Sequence, residues 1–265
     1  MNEAQVNAYL RRIGADRPAA PDAGALRELH AHHLRAIPFE NLSVHLGEDI
    51  VLETDALLDK LVRDRRGGFC YELNGAFAAL LTALGYQVSL LAGRVYGPEG
   101  RLGPPFDHLA LRVTPTAGDD TGAWLVDVGF GRHSLYPLRL DERGDQQDPG
   151  GVFRIADAPD GDLEVTRDGE PQYRLEQRPR VLPDFVPTCW WQRTSPESHF
   201  TRSVVCSLPT ASGGRVTLSG DRLVTTEPGQ DRREETLPDD AAVLDAYRGH
   251  FGIELDRVPR APHRP

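Results

Sequence analysis

The sequence predicts an α+β protein in which helices come first and strands follow. Three observations carry this. Apolar residues recur at helical spacing up to residue 85, the period becomes extended from residue 86, and one more helical stretch closes a strand-rich C-terminal region. At 265 residues the chain exceeds a single small core and suits two or three compact units packed together.

In the helical part, Val6, Tyr9, Leu10 and Ile13 form the first apolar stripe, with Gly14 placed to cap its end. Leu26, Leu29, His33 and Leu34 form a second, ended by Ile37-Pro38, because proline disfavours helical geometry in the residue before it. Leu57, Leu58, Leu61 and Val62 mark a third helix, with Thr54 as its expected cap. The fourth is the most regular, with Leu73, Phe77, Leu80, Leu81 and Leu84 before Gly85.

From residue 86, QVSLLAGRVYG, HLALRVT and WLVDVGF are short, β-rich and bounded by turn residues, which predicts a sheet or small barrel. Further strands are expected at 152–156, 162–167 and 172–179. Three more fall within 201–226, where SGD makes a hairpin turn. The last helix should run from Pro238-Asp239-Asp240 to Gly249, and the tail RVPRAPHRP should fray.

With 39% hydrophobic and 26% charged residues the composition is that of a soluble globular protein, and no apolar run reaches the ~20 residues a membrane helix needs. The first residues, MNEAQVNAYLRR, read as an amphipathic helix and not as a signal peptide, so a cytoplasmic protein is expected. A net charge of −10 argues against nucleic acid as a partner. Cys70, Cys189 and Cys206 lack the spacing of a metal site and are too few for a disulfide framework. The HAHH run at 30–33 has no carboxylate or cysteine to complete a metal site and reads as an ordinary helix face. No metal is expected.

A lone cysteine is more often an inert buried residue than a nucleophile. Cys70 is set apart by its place in RRGGFCYELNGAF, after a glycine pair and at the start of a helix, where unpaired amides and the positive end of the helix dipole favour a thiolate. A cysteine nucleophile also needs a base, and the base an orienting acceptor. His108 and Asp127 flank a hairpin loop, TPTAGDDTG, and centring that loop between antiparallel strands sets the two residues opposite one another. A slip of one residue would send them to opposite faces, leaving a surface histidine beside a solvated aspartate.

RGGFCYELNGAF, FDHLALRV and WLVDVGFG, with IPFENLSVH upstream and SPESHF downstream, resemble the arylamine N-acetyltransferases over about residues 5–255. The resemblance implies an N-terminal helical bundle (1–85) carrying Cys70, a central β-barrel (86–195) carrying His108 and Asp127, and a C-terminal α/β lid (196–265). It implies a cysteine-protease-like Cys-His-Asp core, an acetyl-thioester on Cys70 and double displacement with acetyl-CoA as donor and a small aromatic amine or hydrazine as acceptor. Gly129, Phe130, Gly131 and Arg132 correspond to a loop that approaches the donor. Family members commonly carry another glycine after Gly131, where this chain has Arg132 and His133, and Arg132 is suited to a phosphate.

Phe39, Phe69, Tyr71 and Phe130 are candidate walls for an aromatic acceptor, with core packing as the other reading of each. Glu40 and Arg66 read as a structural ion pair that fixes the loop before Cys70. Three other functions compete: an amide synthase that closes a macrolactam with the same triad, a cysteine hydrolase in which water takes the acyl group, and a non-catalytic binding module.

Overall fold

The computed structural model describes residues 1–261. Helix α1 (Glu3–Ile13) begins with a capping box between Asn2 and Gln5 and ends at Gly14, whose φ of 67° needs no Cβ. It buries the four residues of its predicted stripe. Helix α2 (Ala23–Ala36) is capped by Asp22, which accepts from the Ala25 N–H at 2.8 Å, and its chain turns extended at Ile37 before the proline. Strand β1 (Phe39–Glu40) and the five-residue helix α3 (Leu42–Leu46) follow, both too short to leave a periodic signal. Helix α4 (Thr54–Leu58) passes directly into a π-helical turn, Asp59–Arg63. Thr54, expected as the cap, is instead its first helical residue, and Glu53 takes the cap position without a side-chain bond. Helix α5 (Cys70–Ala83) is the buried axis of this part. Its face from Leu73 to Leu81 packs against α1, α4 and the first two long strands.

The barrel comprises β2 (Gln87–Val95), β3 (His108–Thr114), β4 (Trp124–Val126), β5 (Leu138–Arg139), β6 (Gln146–Asp148), β7 (Gly151–Asp157), β8 (Leu163–Arg167) and β9 (Glu170–Arg180). They form one antiparallel sheet in the order β5-β4-β3-β2-β9-β8-β7-β6. The edge strands β5 and β6 do not pair by backbone. The Gln146 side chain spans them, accepting from the Arg139 N–H at 2.7 Å and donating to the Arg139 carbonyl at 2.9 Å, so the barrel is nearly closed. Leu125, Phe153, Ile155, Val165, Tyr173 and Leu175 fill its interior.

In the β3–β4 hairpin, Leu111 pairs with Val126, where a loop centred between the strands would pair it with Trp124. The residue directly across from His108 is Gly93 on β2. The register therefore differs from the expected one by two residues. An even offset keeps side chains on the same face, so His108 and Asp127 still meet, as diagonal neighbours where the strands part.

After the barrel, helices α6 (Val186–Thr194) and α7 (His199–Arg202) lead to a second antiparallel sheet. It has the order β1-β10-β11-β12-β13, with β10 (Cys206–Pro209), β11 (Arg215–Ser219), β12 (Arg222–Thr226) and β13 (Arg233–Thr236). The SGD turn joins β11 to β12 through Ser219 and Arg222. Strand β13 is exposed at every position and has no alternation to announce it. Helix α8 (Asp240–Ala246) runs on through a π-helical turn to Phe251 and stops at Gly252 (φ 65°), beyond the expected stop at Gly249, because Phe251 is drawn into the second core. The tail is ordered as far as described: Arg257 donates to the Leu46 carbonyl and Val258 and Ala261 pack on that core, against the expected fraying. Residues 262–265, the rest of that tail, lie outside the described residues.

Among the described residues no helix is long and apolar enough to cross a membrane, and no group of three His, Cys, Asp or Glu side chains could hold a metal ion.

Candidate active site

The loop before α5 is fixed by buried charge. Arg66 donates to Glu40 at 3.1 Å, the ion pair read from the sequence, and Glu40 accepts from the Leu42 N–H at 2.6 Å. Lys60, the only lysine of the chain, contacts Glu72 at 2.5 Å, and Glu72 accepts from the Phe69 N–H at 3.2 Å. These contacts hold both sides of the glycine pair, and Cys70 emerges as the first residue of α5.

Cys70 and His108 line one cavity of about 1170 Å³. His108 Nε2 donates to Asp127 Oδ2 at 2.7 Å, and both side chains are buried. That bond places the imidazole proton on Nε2 and leaves Nδ1 as the acceptor nitrogen of the neutral ring. The rings of Phe130 and Tyr173 pack on His108 at 5.2 and 4.9 Å between centroids and restrict its tilt.

Asp127 is held from three more sides. Asn74 Nδ2 donates to its Oδ1 at 2.9 Å, the Gly129 N–H donates to the same oxygen at 3.0 Å, and its own N–H donates to His30 Nε2 at 3.3 Å. Burial alone would raise the Asp127 pKa, but the charge and hydrogen bond of His108, with His133 and Asn74, outweigh it and hold the carboxyl well below the usual range. Asn74 also donates to the Leu109 carbonyl at 2.6 Å and accepts from the Val128 N–H at 2.9 Å, so one side chain of α5 ties β3 to the segment after β4.

The thiol departs from expectation. Burial pushes the Cys70 pKa well up, and the carboxylates of Asp107 and Asp127 add to this while the Leu109 backbone works the other way. The helix start alone does not make Cys70 acidic, because enclosure away from water costs the thiolate more than a helix terminus returns. A nucleophilic Cys70 therefore requires a base.

Phe39, Gly129, Phe130, Gly131 and Arg132 all line the cavity. Phe69 and Tyr71 do not. Both are buried in the helical core, where the Tyr71 hydroxyl donates to the Phe106 carbonyl at 2.8 Å. Aromatic walls come instead from Phe200 and Trp191, and the Phe200 ring packs on Phe69 at 5.1 Å. Gly129 is required by packing before any ligand arrives: a Cβ there would lie 2.6 Å from Cys70 Cα and 2.7 Å from Asn74 Nδ2. Gly131 takes φ 88°, which L side chains rarely adopt.

Residues not singled out in the sequence complete the site. His30, read as part of a helix face, is fully buried, with Nδ1 donating to the Leu135 carbonyl at 2.9 Å and Nε2 accepting from Asp127. Asp107 lines the cavity and is held by the Val95 N–H at 3.2 Å and by Gln192 at 2.6 Å, and burial raises its pKa. Only Asn74 had a signal in the sequence, since it sits four residues beyond Cys70 and so on the same helix face.

A cysteine and an imidazole lining one cavity, with a carboxylate bonded to the imidazole, are the groups that cysteine-dependent acyl transfer uses, here on a helix-and-barrel frame. Residues 22–259 match the N-acetyltransferase family model, and the chain belongs to the arylamine N-acetyltransferase family. It is 38% identical to the arylamine N-acetyltransferase of Mycolicibacterium smegmatis over 93% of this chain and 91% of that protein. It is 34% identical to that of Escherichia coli over 95% and 89%. Among solved structures, the arylamine N-acetyltransferase of Salmonella typhimurium superposes with a TM-score of 0.87 at 31% identity, covering 99% of this chain and 96% of that one. The Mycobacterium marinum enzyme in complex with CoA gives 0.84 at 35% identity, covering 94% and 92%. The comparisons lend no support to the amide-synthase, hydrolase or binding-module alternatives.

Proposed function

We propose that this protein transfers an acetyl group from acetyl-CoA to a small aromatic amine or hydrazine, by a ping-pong route through an acetyl-thioester on Cys70. The observation that carries this reading is the 2.7 Å bond from His108 Nε2 to Asp127, beside a cavity that His108 and Cys70 both line. The donor and acceptor classes rest on the family and on a relative's complex with CoA.

In the first half-reaction Cys70 Sγ attacks the thioester carbonyl carbon as its proton passes to His108 Nδ1. The bond from that carbon to the CoA sulfur breaks, and the departing sulfur takes the proton from His108. In the second half the neutral amine nitrogen attacks the acetyl carbon on Cys70. His108 takes a proton from that nitrogen and returns it to Sγ as the thioester bond breaks. Asp127 keeps His108 in the right tautomer and stabilises the imidazolium without moving a proton itself. Gly129, Phe130, Gly131 and Arg132 are assigned to the donor, and Phe39 and Phe130 to the acceptor. The reading places the protein in the cytoplasm and away from nucleic acid.

Incubation with acetyl-CoA without amine should add one acetyl group to the Cys70 peptide, and initial-rate plots at several amine concentrations should be parallel. Intersecting lines with no trapped acetyl-enzyme would point to direct transfer in a ternary complex.

A further inference from the structure

The chain carries a net charge of −10, yet three guanidinium groups from separate elements meet beside the catalytic cavity. Arg132 follows the Gly129–Gly131 turn, Arg167 ends β8 and Arg215 opens β11. They line a recess of about 130 Å³. A single water needs about 10–15 Å³ of such space, so the recess has room for a group larger than one water, such as a tetrahedral oxyanion. Phe130, Gly131, Arg132, Arg215 and Thr226 line both this recess and the main cavity, so the two volumes adjoin across the turn that touches Cys70.

The cluster is poorly neutralised from within. Among the described residues Arg132 and Arg215 form no ion pair, and Arg167 has only Asp168, at 3.4 Å. Arg167 Nε is buried without a hydrogen bond, Arg167 Nη1 donates to the Arg132 carbonyl at 3.5 Å, and Arg215 donates to Ser207 Oγ at 2.8 Å. Asp127 lines the recess, but His108, Asn74 and the Gly129 N–H already engage its carboxylate. Burial and the charges of Arg132 and Arg167 push the Arg215 pKa down to about 10, and burial with Arg132 lowers that of Arg167. Like charges gathered in a partly buried recess work against folding unless an anion joins them.

We propose that Arg132, Arg167 and Arg215 form a phosphate-binding subsite that holds one phosphate group of the acyl-CoA donor while its thioester reaches Cys70. The proposal rests on acetyl-CoA being the donor. Guanidinium groups from three elements offer the forked donors that phosphate oxygens accept, at a place open to a ligand in the main cavity.

The test compares the second-order rate of Cys70 acetylation by acetyl-CoA with that by S-acetylpantetheine, which carries the same thioester and no phosphate. The proteins are wild type, Arg167→Met, Arg215→Met and the double variant. The ratio of the acetyl-CoA rate to the S-acetylpantetheine rate should fall about 10-fold or more for each arginine removed, the scale of a charge-assisted hydrogen bond. Lysine in place of arginine should restore part of it. An unmoved ratio in the double variant overturns the subsite, whether both rates persist or both fall together through damage to the fold. With acetyl-dephospho-CoA, a surviving effect assigns the diphosphate and a vanished one the 3′-phosphate, and either supports the subsite. A wild type acetylated by S-acetylpantetheine but not by acetyl-CoA overturns the donor reading and the subsite with it. A wild type acetylated by acetyl-CoA with an unmoved ratio in the variants overturns the subsite alone.

Discussion

The side-chain amide of Asn74, one helical turn beyond Cys70, donates to Asp127 Oδ1 across 2.9 Å and so joins the helix of Cys70 to the carboxylate of the barrel. Its other two bonds, to the Leu109 carbonyl and from the Val128 N–H, grip the chain beside both His108 and Asp127. Asn74→Ala should therefore cost stability of about 2–4 kcal/mol, from several buried groups left unpaired. It should also slow acetylation of Cys70 in whatever fraction remains folded. Denaturant unfolding and single-turnover acetylation measure the two effects, and a variant as stable and as fast as wild type would show that the three bonds carry no weight.

Asp127→Asn preserves shape but presents an amide donor to His108 Nε2, favouring the wrong tautomer and removing the charge that stabilises imidazolium. Acetylation should fall by roughly 10²-fold or more with circular dichroism unchanged. The alkylation rate of Cys70 near neutral pH should fall as well. Undiminished acetylation in a folded variant would reassign Asp127 to a structural role.

The three thiols differ in access as well as in partner. Cys189 is buried with its pKa pushed up to about 12, Cys206 is buried with its pKa raised well above the ordinary value, and neither lines the main cavity. A limiting dose of a small alkylating agent should thus label Cys70 first, and Cys70→Ala should abolish acetylation. Equal labelling of all three, mapped by peptide mass, would contradict a base reserved for Cys70.

Burial holds His30, His33 and His133 neutral, with the His133 pKa pushed down to about 4. Between that value and the ordinary histidine pKa of about 6.5, the unfolded chain binds more protons than the folded one. The contribution of His133 to stability is then whole above pH ~6.5 and is lost as pH falls toward its folded pKa, by up to about 1.4 kcal/mol per pH unit. His133→Gln should flatten the slope of unfolding free energy across that window. Urea unfolding at a series of pH values checks it, and equal slopes in wild type and variant would exclude His133 as a source.

The sequence carried the long elements because their signal is repetition. The stripes of α1 and α5 and the glycine stop at Gly14 are local features, and tertiary packing had only to accept them. Strands β5 and β6, of two and three residues, offer no repetition; they form by pairing with β4 and β7, and the Gln146 side chain that bridges them is a contact no local rule can find. The meeting of His108 and Asp127 was legible through parity: the register was two residues away from a centred hairpin, yet the face was right. The sequence alone does not decide His30, Phe69 and Tyr71, because their roles depend on which neighbour covers them. The same is true of the Cys70 thiol, whose position at a helix start is visible in the sequence while its enclosure is not.

The ion pair of Lys60 with Glu72 has a consequence for the chain's own surface chemistry. A thioester awaiting an amine is open to any uncharged primary amine, and lysine is the side chain that supplies one. This sequence has a single lysine. Burial would push that amine toward its neutral, nucleophilic form, but Glu72 and Glu40 override it and keep the group an ammonium under the start of α5. Side chains of the protein thus present almost nothing that competes with an incoming acceptor or scavenges acyl groups from solution. An amine-directed label such as a succinimidyl ester should find little side-chain amine to modify in the folded protein.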